Sequence, residues 1–168
     1  GFIETITILA RTLLKNGDQL FESFPVGWIR LNYMKGTAEH WQDCAALQHV
    51  RYLDLSGLKI PDVDLVAILS SPHLTNLKGI KLGGLEMQIS EEIMFALSRP
   101  RIAGTLEFLE FHGPEETTNL LMNAFQNSIG LPKLQHLFLS SEVSVDLGRM
   151  TTGSLKTLEM NANLSLRG

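Results

Sequence analysis

The stretch VRYLDLSGLKIPDVDLVAILSSPHLTNLKGIKL, residues 50–82, decides the fold of this chain. It begins with the hexamer VRYLDL and ends with the hexamer LKGIKL, and both have apolar residues at their first, fourth and sixth positions. Alternation of this kind places the fourth and sixth side chains on one face of a strand and the third and fifth on the other. Between the hexamers, Pro61 stands at a favourable helix start and precedes an apolar stripe. The stretch therefore predicts a strand, a helical connection and a second strand parallel to the first.

The same hexamer pattern occurs seven times along the chain. The copies are IETITI from Ile3, VGWIRL from Val26, VRYLDL from Val50, LKGIKL from Leu77, LEFLEF from Leu106, LQHLFL from Leu134 and LKTLEM from Leu155. Their starting positions are separated by 23, 24, 27, 29, 28 and 21 residues. These spacings match the leucine-rich-repeat range of roughly 20–29 residues. One strand and one helix cannot bury such an apolar face alone, whereas stacked neighbours join it into a continuous core.

Most connecting segments have helical periodicity. The segment 9–24 predicts a helix with Leu13, Phe21 and Phe24 among its inward residues, and Thr37 is a candidate N-cap for a helix that includes Trp41. The connection 140–154 lacks a helical period, and we expect it to be extended or loosely turned. Connections of this length predict right-handed crossovers between parallel strands.

The fold class that follows is α/β: a leucine-rich-repeat right-handed solenoid, with a parallel β-sheet on the concave face and helices on the convex face. We expect a horseshoe segment that forms a single domain of about seven repeats over residues 1–168. The chain begins at Gly1 without a methionine, so we expect it to be a fragment of a longer protein.

Two segments, residues 11–36 and 47–84, resemble a known family. They are similar to bacterial leucine-rich-repeat proteins of the planctomycete type, which carry a repeat-companion domain and ribonuclease-inhibitor-like repeats. The sequence matches the entry segment of that family at Gly1, Phe2, Phe21 or Phe24, Pro25 and Val26. The resemblance covers about residues 1–90 and implies a binding scaffold.

The sequence departs from this family in two respects. The family has an asparagine three residues after the last apolar residue of each strand. Here that position is occupied by Leu58, Leu85 and Pro114, and only Asn163 matches. The companion domain itself is absent from this chain. The resemblance therefore implies the repeat architecture more directly than it implies a partner.

Charge and composition narrow the class of partner. The net charge of -4 and a pI near 5.7, with no dense Lys/Arg cluster, argue against nucleic acid. No apolar run is long enough to cross a bilayer, so no membrane partner is predicted. The chain has one cysteine, Cys44, and no internal disulfide is possible. This favours a reducing compartment, and we predict a cytoplasmic protein.

Stacking of the hexamers predicts two columns of side chains on the concave face. The third-position column is Thr5, Trp28, Tyr52, Gly79, Phe108, His136 and Thr157, and the fifth-position column is Thr7, Arg30, Asp54, Lys81, Glu110, Phe138 and Glu159. Solvent-facing aromatic and arginine side chains frequently dominate protein interfaces. The partner-binding residues that we predict are Trp28, Arg30, Tyr52, Asp54, Lys81, Phe108, Glu110, His136 and Phe138.

These residues also have structural explanations that do not involve a partner. Aromatic residues are good strand formers, and a neighbouring segment could cover the inner face. For the alternating charges of the fifth-position column, stabilisation of the sheet by cross-strand pairing is the favoured interpretation.

The signals for chemistry are weak. His40 and Cys44 lie four residues apart and suggest half of a metal site or an activated thiolate, but no second ligand pair accompanies them. The pairs Glu91–Glu92, Glu115–Glu116 and Asp62 with Asp64 stand at helix starts, where the macrodipole favours negative charge. Gly83 and Gly84 follow a strand, where a turn needs glycine, and do not form a phosphate loop. We predict no enzyme, no metal and no cofactor.

The predicted function is a protein–protein interaction scaffold that binds a partner through the concave sheet. The alternative is a structural or regulatory repeat segment that packs against another domain of the same protein.

Overall fold

The chain has an α/β fold with a single seven-stranded parallel sheet. The computed structural model describes residues 4–32, 34–57, 60–84, 89–127, 131–140 and 154–160. The strands are β1 (Glu4–Leu9), β2 (Val26–Asn32), β3 (Tyr52–Ser56), β4 (Gly79–Gly83), β5 (Phe108–His112), β6 (His136–Ser140) and β7 (Thr157–Met160). They lie in the order of the sequence, and each contains part or all of one predicted hexamer. The predicted α/β class and parallel sheet are confirmed.

The hexamers align position by position across the sheet. Leu53 of β3 lies between Ile29 of β2 and Ile80 of β4, and the same correspondence continues through β5, β6 and β7. The register shifts once between β1 and β2, next to Thr5. Because side chains alternate between faces along a strand, this alignment puts equivalent residues of neighbouring strands on the same face.

Helices connect most of the strands. The α-helices are α1 (Ala10–Ser23), α2 (Asp62–Ser70), α3 (Glu91–Leu97), α4 (Pro100–Ala103) and α5 (Glu115–Asn127). The acidic pairs do occupy the first turns of α2, α3 and α5, as predicted. Pro61 immediately precedes α2 in an extended conformation, one position before the predicted one.

The core lies on the sheet face that carries the fourth and sixth hexamer positions. From β2 to β6 these residues are at most 2% exposed, and they form one cluster with residues of the helices such as Leu13, Ile68 and Ile93. Full burial of one such side chain stabilises the folded state by about 1.5–3 kcal/mol. The third and fifth hexamer positions lie on the other face of the sheet.

Three local predictions were wrong, two at or after Thr37 and one at Phe24. The helix expected after Thr37 is a pair of 3-10 segments, Ala38–Asp43 and Ala45–His49, separated at Cys44. Thr37 caps neither segment, because its hydroxyl donates to the carbonyl of Met34 instead.

Phe24, predicted to face inward, is 56% exposed because α1 ends before it and the backbone becomes extended there. Several other expectations lie outside the described residues. They concern most of the connection 140–154, the family-matching Gly1 and Phe2, and the turn positions Leu58, Leu85 and Asn163.

Candidate partner-binding surface

The third- and fifth-position columns share the sheet face opposite the core, which we call the aromatic face. The strand register places Trp28 beside Tyr52, Tyr52 beside Gly79, and Gly79 beside Phe108. Phe108 in turn lies beside His136, and Glu110 beside Phe138. The structure therefore brings together all nine residues predicted from the sequence, although the sequence expectation that they contact a partner stays a prediction.

Four rings of this face form a continuous aromatic stack. Trp28 and Tyr52 are stacked, with their ring centroids 4.7 Å apart and an interplanar angle of 14°. Trp28 and Phe108 make an edge-to-face contact, with their ring centroids 5.9 Å apart. The ring centroids of Phe108 and Phe138 lie 5.3 Å apart. The sequence predicts that these four rings face the solvent. In the structure each ring is only half-exposed, because it packs against its neighbours. Aromatic pairs in such geometries contribute about 0.5–1.5 kcal/mol beyond their burial.

Gly79 makes this stack possible. Trp28 and Phe108 belong to strands that are separated by two others, yet their rings touch because the intervening position on β4 has no side chain. A Cβ atom at Gly79 would lie 2.4 Å from the ring of Tyr52 and 3.3 Å from the Cβ of Phe108. Tyr52 thus occupies the space above Gly79, and the sequence signal for this packing was the one glycine in an otherwise bulky column.

The fifth-position column contains two cross-strand ion pairs. Arg30 approaches Asp54 with 2.6 Å between Nη2 and Oδ2, and Lys81 approaches Glu110 with 2.8 Å between Nζ and Oε2. The ammonium of Lys81 also lies 5.4 Å from the ring centroid of Trp28 and 5.9 Å from that of Phe108. This supports the sheet-stabilising interpretation of the charges and adds cation–π contacts with the aromatic stack.

Both carboxylates of this column have lowered pKa values. Burial alone would raise the pKa of Asp54, but hydrogen bonds from the hydroxyl and N–H of Ser56 and from Arg30 outweigh burial and lower it. Burial likewise opposes ionisation of Glu110, while hydrogen bonds and charge from Lys81 and His112 lower its pKa. Asp54 is only 3% exposed, so it acts on this face by holding Arg30 rather than by direct contact with a partner.

The lowered pKa of Glu110 predicts a specific acid sensitivity. A carboxylate whose pKa is depressed in the folded state stabilises the fold above its unfolded pKa, and this stabilisation is lost as pH falls through the folded pKa. Glutamine at position 110 has no charge to lose. We expect the wild-type chain to lose more free energy of unfolding than Glu110→Gln between about pH 5 and pH 2 in urea titrations.

The matched control for this titration is Glu22→Gln, which changes an exposed carboxylate on the last turn of α1. Its stability should follow the wild-type pH curve. Identical pH curves for Glu110→Gln and wild type would contradict the role assigned to Glu110.

Two contributors to the surface were missed by sequence reasoning. His112 places Nε2 2.6 Å from Oε1 of Glu110, and Ser56 donates twice to Asp54. Both residues lie two positions after a charged fifth-position residue on the same strand. The signal was available, because residues two apart on a strand point to the same face.

The structure places His40 and Cys44 in different environments. Cys44 is 6% exposed, and burial raises the pKa of its thiol, which disfavours the reactive thiolate. His40 is exposed, with Nε2 3.4 Å from the carboxylate of Glu39. Both line a shallow surface depression with Leu14 and Lys15. Across the described ranges, no group of three His, Cys, Asp or Glu side chains is placed to hold a metal ion.

The comparisons with known proteins give no relative. No family model matches the chain, and no match was found among curated proteins or among solved structures. Within the part of the chain that the structure describes, no helix has the length and apolarity to span a membrane.

Proposed function

We propose that this chain is a protein–protein interaction scaffold that binds its partner through the aromatic face. The observation that carries the proposal is the aromatic stack of Trp28, Tyr52, Phe108 and Phe138, held half-exposed on the sheet. Large aromatic side chains in this setting are the usual anchors of protein interfaces.

The rigidity of the stack supports binding in a second way. Association costs free energy when flexible side chains become ordered, at about 0.5–1.5 kcal/mol for each immobilised side chain. Here neighbouring rings, Lys81 and the ion pair of Lys81 with Glu110 already hold the aromatic side chains in place. Little of that cost would remain to be met when a partner binds.

The architecture that fits this function is the leucine-rich-repeat solenoid, with ribonuclease-inhibitor-like repeats and the aromatic face on the concave side. Its support is the aligned register of the hexamers and the sequential order of the strands. We assign the chain no catalytic activity and place its action in the reducing cytoplasm. The first assignment has support from burial of Cys44, which raises the pKa of its thiol and disfavours the thiolate.

Replacing Trp28 with alanine tests the proposal. Partners are first captured from a lysate of the source organism and identified by mass spectrometry, and the affinity of a purified partner is then measured. We expect Trp28→Ala to weaken binding about 30-fold, which corresponds to the loss of one interface anchor of about 2 kcal/mol. Thermal melts run in parallel establish that the variant is folded at the temperature of the binding assay.

The matched control is Phe95→Ala on α3. Phe95 is another exposed aromatic residue, at 66%, and has the guanidinium of Arg99 over its ring, but it lies on a helix rather than on the sheet. Its removal should leave partner affinity unchanged. Equal affinities for wild type and Trp28→Ala would refute binding through the aromatic face.

The same measurements address the alternative role as a segment covered by another domain of its own protein. In that case the fluorescence of Trp28 would be protected from acrylamide in the longer protein but not in this chain, and no external partner would be captured.

A further inference from the structure

A second surface of the molecule is a polar cleft at the edge of the sheet where the strands begin. The cleft has a volume of about 470 Å³. Its charged lining consists of Arg51 before β3, Lys78 before β4, Glu107 before β5 and Lys133 before β6. We call this the basic cleft; it lies outside the aromatic face because its residues precede the third hexamer position.

The floor of the basic cleft is rigid. The carbonyl of Arg51 accepts hydrogen bonds from the N–H groups of Lys78 and Gly79, at 2.7 and 3.0 Å. The carbonyl of Lys78 accepts equivalent bonds from Glu107 and Phe108, at 2.7 and 2.9 Å. Since these strand bases are tied together in this way, Arg51, Lys78 and Glu107 project from backbone positions spaced about 4.8 Å apart per strand.

The charge of the basic cleft opposes that of the whole chain. Three cations, Arg51, Lys78 and Lys133, face one carboxylate, Glu107, which gives a formal charge of +2 in a chain of -4. Lys78 is neutralised by Glu107, with 3.0 Å between Nζ and Oε1. Arg51 and Lys133 have no ion-pair partner among the described residues, and both are exposed. The cleft thus has two unpaired cations that flank a neutral pair.

We propose that the basic cleft binds an extended acidic peptide segment, with one carboxylate on Arg51 and a second on Lys133. Three strand spacings separate Arg51 from Gln135, and Lys133 precedes Gln135 by two residues, so the backbones of the two cations lie about 15 Å apart. An extended peptide covers that distance in about four residues, and residues four apart point to the same side. The guanidinium of Arg51 offers a planar fork for a carboxylate. The side-chain amide of Gln48 and the amide oxygen of Asn76, whose Nδ2 donates to the carbonyl of Gln48 at 2.6 Å, add polar groups for the peptide backbone.

Glu107 decides between classes of anion. Its carboxylate lies between the unpaired cations and would repel a dianionic phosphate or a continuous phosphate backbone placed over it. Two single carboxylates that bridge over Glu107 avoid this repulsion. The proposal is independent of the role of the aromatic face, because the two surfaces share no side chain.

Titration of the chain with a synthetic peptide, followed by amide chemical shifts in NMR, tests the proposal directly. The probe is an uncharged Ser/Gly/Thr nonapeptide with glutamate at its third and seventh positions and blocked termini. We expect shifts at the amides of the basic cleft and an affinity that falls about five-fold in Arg51→Gln and in Lys133→Gln, as an exposed ion pair implies. Glu107→Gln should raise the affinity, because it leaves Lys78 without its ion-pair partner and so gives the cleft a third unpaired cation.

The control variant is Lys35→Gln, which removes an exposed cation outside the cleft and should leave peptide affinity unchanged. A peptide with glutamates two positions apart should bind more weakly than the probe. The proposal is overturned if a glutamine-containing peptide binds equally well, or if Arg51→Gln and Lys133→Gln bind like wild type. Tighter binding of inorganic phosphate or of a ten-residue oligothymidylate than of the peptide would also overturn it.

Discussion

Replacing Asp64 with alanine will lower the free energy of unfolding by about 3 kcal/mol, although Asp64 lies outside the aromatic face. Its carboxylate is 1% exposed in the first turn of α2. It accepts hydrogen bonds from the N–H of Thr37 at 2.8 Å and from the N–H of Gly36 at 3.2 Å. Alanine would leave the buried N–H of Thr37 without an acceptor, and hydrogen bonds to a charged group typically contribute about 1.5–3 kcal/mol each.

The loss would extend beyond these two hydrogen bonds. The hydroxyl of Thr37 accepts a bond from Nε1 of Trp41 at 3.1 Å and lies 3.2 Å from Oδ1 of Asp64. Trp41 is fully buried. Asp64 therefore links the connection between β2 and β3 to α2 by hydrogen bonds. Through Thr37 it also helps to position the buried Trp41.

Asp62→Ala is the matched control for this prediction. Asp62 stands in the same first turn of α2 but is exposed, so its removal loses only the attraction to the helix macrodipole, about 0.5 kcal/mol. Urea unfolding followed by tryptophan fluorescence measures both variants. Equal losses of stability in the two variants would show that the buried hydrogen bonds of Asp64 contribute nothing.

Asp64 also shows where sequence reasoning reaches its limit. A carboxylate at a helix start was correctly placed, because helix signals are local and the macrodipole acts within the first turn. Its actual partners lie 27 and 28 residues away in another connection. Nothing in a local pattern indicates which loop will pack against a helix end, so this contact could only come from the structure.

The sheet could be predicted much further than the connections. Side chains alternate between the two faces of a strand, so the seven hexamers bury their apolar residues together only when they align position by position. The pairing of Leu53 with Ile29 and Ile80 follows this register. The columns of the aromatic face came from the same argument. The ring of Tyr52 packs over Gly79, and this contact joins the aromatic rings into one stack. It depends on side-chain packing between strands. No local sequence pattern determines such packing.

The 3-10 segments after Thr37 were missed for a related reason. The sequence from Ala38 to His49 has helix-forming residues. The hydroxyl of Thr37, however, hydrogen-bonds to the carbonyl of Met34 and to the carboxylate of Asp64, and it does not cap the segment that follows. Tertiary hydrogen bonds thus override local propensity, which is only a weak guide in short segments.

The largest effect that we expect is at Gly83, where alanine should destabilise the chain by about 4 kcal/mol. Gly83 ends β4 with a φ of +133°, a region that residues with a side chain rarely adopt. A Cβ atom there would lie 2.0 Å from the carbonyl oxygen of His112 on β5. That carbonyl also accepts the N–H of Gly84 at 3.0 Å, so the backbone cannot withdraw without losing a hydrogen bond. Backbone strain and steric overlap each cost about 1–3 kcal/mol.

Gly57→Ala separates these two costs. Gly57 also follows the core of a strand and has a positive φ of +75°, but no heavy atom lies within 4 Å of an added Cβ. It should lose only about 1 kcal/mol, the cost of a left-handed conformation for alanine. The remaining difference of about 3 kcal/mol in urea unfolding would measure how closely β4 and β5 approach at this end of the sheet. If Gly83→Ala loses no more stability than Gly57→Ala, the carbonyl of His112 does not restrict the residue at position 83, and the left-handed conformation alone accounts for the cost.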